Sequence, residues 1–90
     1  MIVLFKKLNE NAKVPVRASS GSAGYDLFAV EEPLYECSYS RIMILTYKTG
    51  IALEIPSGYA GFIYPRSSIK NRPELTLLNS VGVIDSDYRG

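Results

Sequence analysis

The chain has 90 residues, 47% hydrophobic and 21% charged, and its ten basic and nine acidic residues leave a formal charge of +1. That balance argues against a disordered chain, and no run of like charge is long enough for a nucleic-acid or membrane patch. One cysteine and no histidine exclude an intrachain disulfide and a Cys/His metal centre.

Ninety residues fit one small domain with a marginal core of its own. The lysines of Met1-Ile-Val-Leu-Phe-Lys-Lys follow the apolar run instead of preceding it, so no secretory signal is expected. No stretch approaches the roughly 20 apolar residues of a membrane helix. A folded, soluble, cytoplasmic protein with no nucleic-acid or membrane partner is the expectation.

Ile2 to Leu8 read as a first strand, rich in β-branched and aromatic residues, and Asn9 to Ala18 as a loop. A small-residue approach, Ser19 to Gly24, leads to a second strand over Tyr25 to Val30, with Asp26 at its start and Glu31-Glu-Pro33 ending it. A short segment over Leu34 to Cys37 then leads to Ile42-Met-Ile-Leu45, apolar at every position, which predicts a strand covered on both faces. After the Lys48-Thr-Gly50 turn, Ile51, Leu53 and Ile55 alternate with Ala52 and Glu54, the pattern of a strand with one buried face.

Pro56-Ser-Gly58 predicts a turn, and Tyr59 to Tyr64 a strand, the two glycines Gly58 and Gly61 inviting a bulge or close backbone approach. Ser67 or Ser68 is placed to cap a short helical turn that Asn71-Arg-Pro73 breaks. Leu75 to Leu78 read as another strand, and Val81 to Ile84 as the last, running into an Asp85-Ser-Asp87 turn that sets Asp85 beside Tyr88. Almost nothing remains after Tyr88 to form a returning strand, so the sequence looks cut in mid-element. Short strands separated by turn signals, with no amphipathic helix, argue an all-β sandwich or barrel.

Each polar cluster has a bland reading and a functional one. Arg66 beside Ser67 and Ser68 suits a phosphate, because a guanidinium binds it through two parallel bonds; a capped surface turn uses the same residues. Asp26 either orients a metal-bound water or caps a turn. Asp85 is a candidate base and Tyr88 a platform for a sugar or ring, against a plain hairpin turn. The Asn79 amide either reads a base edge or satisfies nearby backbone.

Taken in order, Ala23-Gly-Tyr-Asp-Leu27, Pro65-Arg-Ser-Ser68 and Asn79-Ser-Val-Gly-Val-Ile-Asp-Ser-Asp-Tyr-Arg-Gly90 resemble the first three of the five motifs of the trimeric dUTPase family. The resemblance spans Ala23 to Gly90, and its third motif is the most specific. It implies a β jelly roll, a homotrimer whose sites combine motifs from different subunits, and cleavage of dUTP to dUMP and pyrophosphate with Mg²⁺ held by the triphosphate. It gives Asp85 the water that attacks the α-phosphorus, and Tyr88 the deoxyribose and exclusion of a 2′-hydroxyl.

The resemblance further assigns uracil to Asn79 and the backbone near Val83, Ile84 and Tyr88. Arg66, Ser67 and Ser68 would contact phosphate oxygens, and Asp26 would act near the metal through its waters. An aspartate is a weak base at neutral pH, so orientation of the water should outweigh proton abstraction. The fourth and fifth motifs have no counterpart in these 90 residues, so the chain reads as a partial dUTPase-like domain. Two other readings stand beside this one: a non-catalytic nucleotide-binding or regulatory module, and a relative of the dCTP deaminases, which need a catalytic glutamate in a different local motif, so that Val83-Ile-Asp-Ser-Asp-Tyr88 matches the diphosphatases better.

Overall fold

The computed structural model describes residues 1–72 and 74–90. Among them are six strands and one short 3-10 helix: β1 (Leu4–Lys7), β2 (Val30–Tyr39), β3 (Ile42–Lys48), β4 (Ile51–Glu54), β5 (Gly61–Ile63), the 3-10 helix Ser67–Asn71 and β6 (Gly82–Ile84). The strands form two-stranded sheets, β1 with β4, β2 with β3 and β5 with β6. The all-β expectation holds. The chain divides into two compact units, one of Phe5–Ala52 and one of Met1–Leu4 with Leu53–Gly90.

In the Phe5–Ala52 unit the close packing gathers at Gly50. Its φ of +68° belongs to the left-handed region, and a Cβ there would stand 2.8 Å from that of Ala12 and 3.2 Å from that of Asn9. Glycine is therefore required twice over, by backbone and by space. Ala12, Val30 and Ile51 are buried.

The same unit carries the β2–β3 ribbon, antiparallel in register from Glu36↔Leu45 to Tyr39↔Ile42 and turned at Ser40, whose φ is +58°. Two expectations fail here. Only an isolated bridge, Val16↔Asp26, stands where a strand over Tyr25 to Val30 was expected, and the strand begins at Val30 and runs through Pro33. The ladder tolerates this because its register shifts between Val30 and Tyr35, where Glu31 takes a φ of +63°. Nor is Ile42 to Leu45 covered on both faces: Ile42 is 61% and Met43 64% exposed, and among the described residues β2 and β3 form a sheet of two strands only.

In the other unit, Ile55 is buried and the Pro56-Ser-Gly58 turn closes with the Tyr59 N–H donating to the Pro56 carbonyl at 3.1 Å. β5 and β6 pair antiparallel, Gly61↔Ile84, Phe62↔Val83 and Ile63↔Gly82. Each outer pair sets a glycine against an isoleucine. A Cβ on Gly61 would stand 3.2 Å from that of Ile84, and one on Gly82 3.2 Å from that of Ile63. Close approach, not a bulge, is what the glycines supply.

The expected strand over Leu75 to Leu78 is absent. Turns replace it, with Leu75 N–H bonded to the Arg72 carbonyl at 2.9 Å and Ser80 N–H to that of Leu77 at 3.1 Å. A strand needs its backbone groups for a neighbour, and here the Leu75 N–H and the Leu77 carbonyl are spent on local turns. The expected helical turn exists, but Arg66 occupies its N-cap without a side-chain cap bond, so neither serine caps it. It ends at Arg72; the expected break at Pro73 falls outside the described residues.

Candidate functional site

The β5–β6 ladder carries a hollow of about 380 Å³, lined by Ile63, Leu77, Asn79, Gly82, Val83, Ile84, Asp85 and Tyr88. The volume lies within the range of small-ligand sites, about 300–1,000 Å³. Its composition is that of such sites as well: aliphatic walls, one amide, one carboxylate and one phenol. Both members of the Ile63↔Gly82 pair line it, with the Ile63 side chain packed over the bare Gly82 backbone.

Beyond Ile84 the ladder stops and the chain turns. The Tyr88 N–H donates to the Asp85 carbonyl at 3.2 Å, which brings the ends of the turn together and sets both side chains on the hollow. Asp87 points to solvent, while Asp85 is exposed but lines the cavity. Among the described residues Asp85 has no ion-pair partner. A carboxylate so placed can hold and orient a water.

Arg89 closes the turn from behind. Its Nη1 donates to the carbonyls of Ser86 at 2.7 Å and Tyr88 at 2.8 Å, and its Nη2 lies 3.8 Å from a Glu54 carboxylate oxygen. Gly90 matters for space: a Cβ there would collide with the phenol ring of Tyr88. The tyrosine therefore lies against bare backbone.

Of the predicted site residues, Asn79, Val83, Ile84, Asp85 and Tyr88 meet at this hollow. Arg66, Ser67 and Ser68 belong to the same unit, at the head of the 3-10 helix and exposed, but do not line it. Asp26 belongs to the other unit, half-buried, its backbone exchanging bonds with Val16 at 2.7 and 3.4 Å. Ile63, Leu77 and Gly82 were read from the sequence only as strand residues. The alternation of β6 against β5, had its partner been known, was the signal that would have found them.

A metal caged by protein side chains does not fit, since no three Asp, Glu, Cys or His groups converge among the described residues. A cation arriving with phosphate oxygens does fit the chemistry of the donors present, because Mg²⁺ keeps waters that a single carboxylate can bind.

Residues 10–90 match the family model described as dUTPase. The chain belongs to the dUTPase family. It is 44% identical over 90 residues to the deoxyuridine 5′-triphosphate nucleotidohydrolase of Hydrogenobaculum sp., covering 100% of this chain and 60% of that one. It is 43% identical over 88 residues to the enzyme of that name from Paramecium bursaria Chlorella virus 1, covering 98% and 58%.

Among solved structures, a mutant dUTPase of S. aureus phage phi11, described with a structural Mg(II) ion, is 31% identical at a TM-score of 0.73 and is matched over 100% of this chain and 55% of its own. A mutant of the Staphylococcus bacteriophage 80alpha dUTPase with dUpNHpp is 32% identical at 0.72, over 99% and 49%. The chain thus spans about three-fifths of the length of the curated relatives it matches. The jelly-roll-like β fold expected from the motifs is the fold these neighbours share with it.

Proposed function

We propose that this chain carries the base-, sugar- and water-handling part of a dUTP diphosphatase. The observation that carries the reading is the convergence of Asn79, β6, Asp85 and Tyr88 on one hollow of nucleoside size. In this reading uracil is held by the Asn79 amide and the backbone at Val83 and Ile84. The ring of Tyr88 lies along the deoxyribose and leaves no room for a 2′-hydroxyl. The absence of a side chain at Gly90 leaves the ring room to take that position.

Asp85 accepts a hydrogen bond from a water and turns its oxygen towards the α-phosphorus. As that oxygen bonds to phosphorus, the bond from phosphorus to the oxygen bridging to the β-phosphate breaks and pyrophosphate leaves. The water's proton passes to Asp85 and then to solvent, giving dUMP. Arg66, Ser67 and Ser68 contact phosphate oxygens, and Asp26 bonds a water on Mg²⁺ that arrives with the triphosphate. When bound, Mg²⁺ neutralises phosphate charge and polarises the electrophile. A homotrimer belongs to the same reading, supported by the many apolar side chains open to solvent, Tyr39, Met43 and Phe62 among them; so does a cytoplasmic setting.

The second reading, a binding module without turnover, uses the same hollow to hold a nucleotide without the water step. Calorimetry with dUpNHpp beside a pyrophosphate-release assay on dUTP and Mg²⁺ separates the two. Binding with release supports the diphosphatase, binding without release supports the module, and absence of binding overturns both.

A further inference from the structure

We infer that Arg89 is a positioning residue for Asp85 and Tyr88, acting through the backbone of the turn that carries them. The inference rests on the dUTP reading and adds to it a residue that touches no substrate. One nitrogen, Nη1, binds the carbonyls of both Ser86 and Tyr88, two residues apart. The Asp87 and Tyr88 backbone between those carbonyls cannot rotate without breaking one of the bonds. The Tyr88 N–H to Asp85 carbonyl bond fixes the opposite side of the same turn. Ladder pairing stops at Ile84, so nothing in β5 or β6 holds these four residues directly.

None of these bonds uses the side chain of Asp85 or Tyr88, and both stay directed to the hollow. The clasp also has an outer anchor, since Nη2 faces Glu54 at the end of β4. A guanidinium suits the task because its two terminal nitrogens point in fixed directions, one to the carbonyls and one to the carboxylate. A lysine ammonium reaches one set or the other. Arg89 and Glu54 are about half exposed, so the carbonyl bonds, not the ion pair, carry most of the effect.

The test uses the 90-residue chain with Arg89→Ala, Arg89→Lys and Glu54→Gln, read by amide hydrogen exchange and by calorimetric titration with dUpNHpp and its ribose counterpart. Arg89→Ala is expected to speed exchange of the Tyr88 amide about tenfold while the β5–β6 ladder amides keep their rates. The preference for the deoxy over the ribo analogue should fall about fivefold, as expected when a pocket wall loosens. Arg89→Lys should restore part of both effects, and Glu54→Gln should change each less than twofold. An unchanged Tyr88 amide and analogue ratio in Arg89→Ala would overturn the assignment, as would equal loosening of the whole ladder. If the unsubstituted chain binds neither analogue, the dUTP reading falls and takes this role with it; if it binds and Arg89→Ala binds alike, only the positioning role falls.

Discussion

Two loops of this molecule are held by the same device and differ in what stands behind it. Arg17 Nη2 donates to the carbonyls of Ser20 at 2.8 Å and Ser22 at 2.6 Å, just as Arg89 Nη1 gathers those of Ser86 and Tyr88. In each, one guanidinium nitrogen binds carbonyls two residues apart. The Arg17 loop adds serine hydroxyls, with the Ser19 N–H donating to Ser22 Oγ at 3.0 Å, and its carboxylate, Asp26, follows four residues beyond the clasp, its backbone bridged to Val16. Asp85 directly precedes the first clasped residue and directly follows a paired strand. The comparison teaches that a guanidinium clasp shapes backbone, and that the Arg89 clasp alone of the two stands directly beside both a paired strand and a carboxylate.

The largest effect should separate the two carboxylates. In a pyrophosphate-release assay on the active protein, Asp85→Asn is expected to lower kcat by about 10³-fold, within the range for loss of a positioned base. Asp26→Asn should cost less and show mainly in the Mg²⁺ concentration required. Equal losses in kcat would break the comparison.

Stability sharpens it next. Gly82→Val places side-chain atoms against Ile63, whose Cβ lies 3.2 Å from where a Cβ would be, and should cost about 1–3 kcal/mol by urea denaturation. Gly21, in the Arg17 loop, has nothing within 4 Å of a Cβ, so Gly21→Ala should stay within about 0.5 kcal/mol. A smaller effect belongs to Gly90→Ala, which pushes the Tyr88 ring outward and should reduce deoxy over ribo preference severalfold, at about the scale of a lost methylene contact. The smallest is Arg17→Ala. Its loop keeps the Ser19 and Ser22 bonds, so the Ser22 amide should exchange only about threefold faster, with the melting temperature nearly unchanged.

How much of this could be read beforehand varied along the chain. The alternation from Ile51 to Ile55 located β4 and its buried residues, because the period of a half-buried strand is written in neighbouring positions. The Pro56-Ser-Gly58 turn and the Asp85 to Tyr88 turn were legible for the same reason, being local chemistry. Glu31-Glu-Pro33 misled. Those residues end most strands, yet β2 passes through them because a register shift absorbs the proline. Leu75 to Leu78 misled in the opposite direction, having strand propensity but backbone groups taken up by local turns.

At the candidate site, the residue types and their order pointed to Asn79, Asp85 and Tyr88, while Ile63 and Leu77 were invisible as wall residues. Nothing in a run of apolar residues says which face closes a cavity. The carbonyl partners of Arg89 were hidden as well, since every residue carries a carbonyl.

The sequence by itself determined the all-β class, the positions of the tight turns and the motif order that marks the dUTPase family, because propensity, turn chemistry and spacing are properties of adjacent residues. Tertiary structure alone decided that β6 pairs with β5 and that glycine faces isoleucine at both ends of that ladder. Those are contacts between distant residues, settled by which strands find partners and which volumes fit, and no local pattern encodes them.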